Sequence, residues 1–237
     1  MPKANALLSQ IESSVWGEVQ QRLTAVELER GQVLQRPGED IASVYFPTSA
    51  VLALGLETVA GESVNVTLLG REGALGAFEA CGSRQSYTRA TAWVAGTVWR
   101  LPASAYRELF GNSSVLRREI HKYVEVLLAE SRQNVACNAL HTVENRLARA
   151  LLDVADRSGA RRLPITQDAI SQLLGVQRTT VAASVSALQR EGLIRSGRGA
   201  IEILDLDRLQ AATCSCRETL AYVREDIQSR TEDVCEA

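Results

Sequence analysis

Between about positions 29 and 101 the apolar residues fall in short runs separated by glycine, proline and serine: "GQVLQRPGEDIASVYFP", "SAVLALGLETVAGESVNVTLLG" and "TAWVAGTVWRLP". Runs of about four to eight residues rich in valine, leucine, alanine and aromatics, punctuated in this way, predict antiparallel strands, the breaks supplying the turns. "TVAGESVNV" predicts a hairpin about Gly61. Strands this short and regular predict a small barrel or sandwich.

The spacing then turns helical. "LPASAYRELFGNS" predicts a short helix with Ser104 as its N-cap and Gly111 as its stop. A longer helix is predicted over 112–139, where Leu116, Ile120, Tyr123 and Leu127, continued by Glu130, Asn134 and Cys137, step by four and three. That is the spacing of a coiled-coil seam, and the length of the stretch and its charged remaining faces favour a helix shared between two copies of the chain. The alternative is a helix lying on its own domain.

A different pattern occupies 163–204. Thr166 precedes a helix predicted over 167–174, with Asp168 in the first turn, where a negative charge suits the helix dipole, and Gly175 at its end. After "VQ" a second helix is predicted over 178–189, burying Val181, Val185 and Leu188 and stopping near Gly192. Helices joined so tightly must cross steeply. Ser171 must then be small, Gly175 must bend the chain and Val181 must fill the angle, and all three stand at the spacing of a DNA-binding helix-turn-helix. "GLIRSGRGAIEIL" adds two short strands about Gly197 and Gly199, a wing carrying Arg195 and Arg198. An αα-hairpin packed into an ordinary core is the alternative, which the wing disfavours.

Composition narrows the function. A length of 237 residues predicts two domains. No run approaches the roughly 18 apolar residues of a membrane span, and the N-terminal stretch does not read as a signal peptide, so a cytoplasmic protein without membrane contact is expected. The net charge of −2 is unevenly spread: residues 1–139 carry about −1, 140–204 about +3 and 205–237 about −4. The basic excess thus coincides with the helix-turn-helix. Five scattered cysteines predict reduced thiols. Cys214 and Cys216 in "CSC" read as two thiols short of a four-ligand set, so no metal site is expected, and His121 and His141 read as surface or interface residues. No nucleophile with a base, phosphate-binding loop or motif-placed carboxylate pair points to an enzyme.

"ITQDAISQLLGVQRTTV" carries Ile165-Thr166, Ile170, Gly175 and Arg178-Thr179-Thr180-Val181, and with the strand-rich half and long helix before it the chain resembles the Crp/Fnr superfamily of bacterial transcription regulators. Gly31, Gly38, Gly70 and Gly76 fit that family's cyclic-nucleotide-binding type of β-roll. The resemblance implies an α+β protein: an N-terminal antiparallel β-roll sensor (1–111), a dimerisation helix (112–139), a winged helix-turn-helix (140–204) and an acidic C-terminal helix or tail (205–237). It implies a homodimer on an inverted-repeat operator of double-stranded DNA, with RNA polymerase as a further partner. Arg178 can fork onto guanine O6 and N7 or meet a phosphate. Thr179 and Thr180 can bond a base edge or a phosphate, and the resemblance points Thr180 to phosphate. Gln177, a poor N-cap, leaves backbone N–H groups for a phosphate, and Ala183 can only touch a thymine methyl or leave space. Gln167, Ser184, Arg195 and Arg198 complete the expected DNA contacts.

Nucleotide-binding members hold the cyclic phosphate with a Gly-Glu segment and an Arg-Ser or Arg-Thr pair. The resemblance makes Glu72 of "GREGALG" that glutamate, but Ser86 and Tyr87 stand where the pair belongs, with Arg84 two residues before and Arg89 three after. Such a shift carries a guanidinium several ångströms away, so cyclic AMP is not expected to act here. Ser131 is similar to a position that meets the purine across the dimer, with Arg132 beside it. Two alternatives stay open: a cyclic mono- or dinucleotide receptor using Glu72 with Arg84 or Arg89, and a protein-interaction module. No cofactor is assigned and the effector is left unidentified.

Overall fold

The computed structural model describes residues 1–11 and 13–230. After a 3-10 turn come α1 (Ala6–Ser9) and α2 (Ser13–Arg22), and then β1 (Thr24–Leu28), β2 (Val33–Gln35), β3 (Ser43–Pro47), β4 (Val51–Glu57), β5 (Ser63–Leu69), β6 (Arg89–Val94) and β7 (Gly96–Pro102). They form two antiparallel sheets, ordered β1-β7-β3 and β2-β6-β4-β5. The β4–β5 hairpin turns at Gly61, in the left-handed region at φ +83°. β6 passes into β7, and from one sheet to the other, through Gly96. A Cβ there would lie 2.6 Å from the Ala50 nitrogen, so the corner needs glycine.

The short helix α3 (Ala103–Asn112) begins and ends differently from expectation: Pro102 holds the cap position and Gly111 lies inside the helix. Proline already fixes the backbone angle that leads the chain in. One glycine costs a helix about 1 kcal/mol, less than burying the Tyr106 ring returns. The next helix, α4 (Ser114–Leu140), is capped by Ser113, whose Oγ accepts from the Leu116 N–H at 3.1 Å.

α4 also corrects the predicted seam. Leu116, Ile120 and Tyr123 are only 1, 2 and 8 % exposed and join Phe46, Leu101 and Tyr106 in the core of the β-roll, with Leu127 packed at its edge. These four residues face the chain's own sheets. A coiled-coil seam and the buried stripe of a surface helix share the same four-three spacing, so the pattern could not tell them apart. Tyr123 fits because Gly73 of "GREGALG" has no side chain: a Cβ there would sit 2.4 Å from the ring. The tyrosine is hydrogen-bonded to the Ala74 backbone, and burial holds its pKa well above the ordinary phenol value.

The C-terminal half contains α5 (Val143–Ser158), β8 (Arg162–Leu163), α6 (Gln167–Leu174), α7 (Arg178–Arg190), β9 (Ile194–Gly197), β10 (Ala200–Ile203), α8 (Leu206–Ala211) and α9 (Cys216–Ser229). β8, too short to leave a sequence pattern, pairs with β10 and makes the wing a three-stranded sheet, β8-β10-β9. Leu147, Leu151, Ile170, Val181, Val185 and Ile201 form a core continuous with Val51, Ala53, Leu68, Trp93 and Val94 of the larger sheet, so the winged helix is docked on the β-roll. The acidic C-terminal helix is α9, which folds back along α4. The end of the expected tail, with Cys235, lies outside the described residues. Among the described residues no helix is long and apolar enough to cross a membrane.

Candidate nucleic-acid interface

The turn between α6 and α7 is assembled from local rules. Thr166 caps α6, its Oγ1 accepting from the Ala169 N–H at 3.1 Å, and Gly175 ends the helix at φ +62°. Arg146 of α5, buried beneath the turn, donates to the Leu174 carbonyl that the end of α6 leaves free. Val181, Val185 and Leu188 anchor α7 in the core. Its cap residue Gln177 makes no side-chain cap, so the first N–H groups of α7 are open to an anion.

Gln177, Arg178, Thr179, Thr180 and Ala183 are all exposed on this end of α7. Ser184 is not: it is fully buried, its Oγ donating to Glu144 Oε1 at 3.0 Å, and it ties α7 to α5. One helical step from Ala183 points Ser184 into the core, and that corrects its assignment as a DNA contact. The exposed stripe continues instead through Ser186 and Arg190, which the sequence reading missed, although steps of four, three and four from Thr179 lead to them. Gln167 is half-buried at the head of α6.

On the wing, Arg198 is exposed beside Gly199, whose φ of +68° makes the tight turn. Arg195 is exposed too but pairs with Glu202 on the neighbouring strand at 3.2 Å. Arg162 of β8 is register partner to Glu202 from the other side, a second cation on the wing sheet that the sequence reading did not single out.

The residues expected to bind an effector do not converge. Glu72 accepts from the Gly70 N–H at 2.9 Å and from Arg157 Nε of α5 at 2.8 Å. Gly70 is required by this contact, since a Cβ there would come within 2.7 Å of Arg157 Cβ. Burial works against the charge on Arg157, but Glu72, Glu130 and Asp153 around it outweigh that and raise its pKa above the usual arginine value. Ser86 is buried and turned onto its own loop, donating to the Thr88 carbonyl at 2.8 Å. Arg84 and Arg89 are exposed, and Arg84 sits in the left-handed region at φ +64°. Glu72 and Ser131 alone of the five line one cavity, of about 940 Å³, between β5, α4, α5 and α9.

The reading of Cys214 and Cys216 as thiols with no further ligand nearby also fails. The fold brings Cys137 and His141 from the end of α4 to them, a contact between residues more than 70 positions apart that no local spacing announces. His121, in contrast, is exposed on α4, its ring edge-on to Phe110.

A β-roll, a long helix and a winged helix with an exposed, uncapped end of α7 make up the architecture. Residues 145–212 match the family model of the Crp-like helix-turn-helix domain. The transcriptional regulator SdrP of Thermus thermophilus is 33% identical over 101 residues, which cover 40% of this chain and half the length of that relative. The CRP-like cAMP-activated global transcriptional regulator of Mycobacterium tuberculosis is 23% identical over 206 residues, 84% of this chain and 92% of that one. A solved CRP/FNR family regulator from Thermus thermophilus superposes with a TM-score of 0.65 at 25% identity, over 80% of this chain and 97% of that structure. Residues 145–212 thus carry a Crp-like helix-turn-helix domain, and the relatives the chain resembles are named as transcription regulators.

Proposed function

We propose that two copies of the chain bind an inverted-repeat operator, each placing α7 in the major groove, and that the β-roll does not use cyclic AMP. The exposed end of α7, with Arg178 beside an uncapped helix N-terminus, is the observation that carries the reading. Arg178 forks onto a guanine, Thr180 and the open N–H groups hold a phosphate, and Thr179, Ala183, Ser186 and Arg190 face the groove. Arg198 meets phosphate from the wing, and Arg195 does so at the expense of its bond to Glu202.

The dimer seam falls one residue on from the buried stripe of α4. Leu128, Ser131 and Val135 step by three and four on the outward face, with Leu128 48 % and Val135 71 % exposed. This face, unlike the buried one, is available to a second copy.

Binding of variants to a library of half-sites at two salt concentrations tests the reading. Arg178→Ala is expected to cost roughly 1–3 kcal/mol per half-site and relax the preference at one guanine, whereas Arg198→Ala weakens all sequences alike and lowers the salt dependence. Equal, sequence-independent losses would take base reading away from Arg178.

The absence of cyclic AMP control is supported by the capture of Glu72 by Arg157 and the outward Arg84 and Arg89. A nucleotide-responsive reading is favoured by one observation, the cavity that Glu72 and Ser131 share. It is also the activity carried in the name of the mycobacterial relative. Operator affinity with and without cyclic AMP separates the two: no change is expected, and tightening of about tenfold, ~1.4 kcal/mol, would establish the nucleotide reading.

A further inference from the structure

Four soft donors meet where the long helix hands the chain to the winged helix. Cys137 lies in the last turn of α4 and His141 at its cap, while Cys214 and Cys216 stand between α8 and the start of α9. Their ligand atoms all lie within 4.8 Å of one another. Cys137 Sγ is 3.5 Å from Cys214 Sγ, and Cys216 Sγ is 3.4 Å from His141 Nδ1. The three cysteines are buried and the histidine is half-buried. We infer that Cys137, His141, Cys214 and Cys216 form a tetrahedral site for one zinc ion.

The spacing selects a single ion. Bonds of about 2.3 Å to sulfur and 2.0–2.1 Å to nitrogen put the donors of a zinc tetrahedron roughly 3.5–3.8 Å apart, close to the 3.5 and 3.4 Å of these two pairs. An iron–sulfur cluster spreads its thiolates over two or more irons and needs a wider cage. Three thiolates and an imidazole, with no carboxylate among them, suit zinc and not magnesium or calcium. On binding, the three thiols release their protons to solvent as three Zn–S bonds and one Zn–N bond form, and no electron is transferred.

The surroundings suit the charge that results. Three thiolates around a divalent cation leave one net negative charge, and the Arg149 guanidinium lies close enough to Cys137 to interact with it electrostatically. The Gln133 amide donates to Cys216 Sγ at 3.0 Å. Groups of this kind around the ligands orient them and offset the thiolate charge.

The position gives the ion work to do. His141 is followed directly by Thr142, the cap of α5, so two ligands sit on the corner between the long helix and the DNA-binding half. The other two begin the helix that folds back along α4. One ion would fasten α9 to α4 and fix that corner, and with it the placement of each recognition helix relative to the dimer seam.

The test uses the full chain, purified without a histidine tag under reducing conditions. Elemental analysis should find about one zinc per chain. After chelation, cobalt(II) should produce thiolate charge-transfer bands and the intense visible bands of a tetrahedral site, and zinc should displace it. Cys214→Ser and Cys216→Ser should each weaken cobalt binding by about tenfold or more, and Cys81→Ser, an exposed cysteine outside the cluster, should not. Should a serine variant fail to fold, the wild-type cobalt spectrum and its loss to zinc still decide. Less than about a tenth of an ion per chain without a cobalt spectrum, iron in place of zinc, or a Cys137–Cys214 disulfide in the protein as isolated would each overturn the assignment.

Discussion

Ser184 and Ala183 are neighbours with opposite fates, and the difference is one step of helix rotation. Ser184 Oγ donates to Glu144 across the α5–α7 contact, so Ser184→Ala removes one hydrogen bond to a carboxylate that stays open to water. A loss of about 0.5–1.5 kcal/mol in stability is expected, with the operator preference unchanged; a changed base preference at constant stability would return Ser184 to the DNA face. Glu79, in the 3-10 turn Glu79–Cys81, offers a pH test. Burial raises its pKa above the unfolded value, so the folded state is penalised once the pH rises past the ordinary carboxylate value, and not below it. Glu79→Gln should therefore raise the melting temperature near neutral pH and lose the advantage toward about pH 4. A gain of equal size at both pH values would mean that packing, not charge, is responsible.

The helix-turn-helix was the most legible part of the sequence because its signals are local: Thr166, Gly175, Val181 and Gly192 each report on a few neighbouring residues. α4 was half-legible. Its four-three repeat located the helix, but which of two adjacent stripes meets the β-roll depends on Gly73 admitting Tyr123, a contact 50 positions away. The "GREGALG" segment was ambiguous for the same reason. Gly70 and Gly73 serve the approach of Arg157 and Tyr123, and nothing local distinguishes that from a loop built for a nucleotide. Paired substitutions separate the two stripes. Leu128→Asp should leave a folded monomer that binds operator poorly, whereas Ile120→Asp puts a charge into the β-roll core and should unfold the chain. Sedimentation and circular dichroism report both, and a folded dimer for Leu128→Asp would reject the outward seam.

The two halves are joined by more than a linker. The outer face of the larger sheet shares a core with the winged helix, and Arg157 bridges Glu72 of the β-roll to Glu130 of α4, which also binds Arg224 of α9. Arg157 is nearly buried while Glu72 is partly exposed, so the two ends of the pair should respond unequally. Arg157→Met removes the central cation from two carboxylates and is expected to cost roughly 3–5 kcal/mol. Glu72→Gln leaves Arg157 with Glu130 and should cost less, as chemical denaturation of the two variants would reveal. Equal small losses would mean that the apolar contact alone docks the winged helix. The arrangement of these halves in a two-fold dimer is what the operator reads. Selection of duplexes from a random library by the full chain, at low and physiological salt, tests this most directly. The enriched sequences should be inverted repeats with half-site centres about 34–36 Å apart, bound more weakly as salt rises. Enrichment of no repeat, or retention that does not depend on salt, would contradict it.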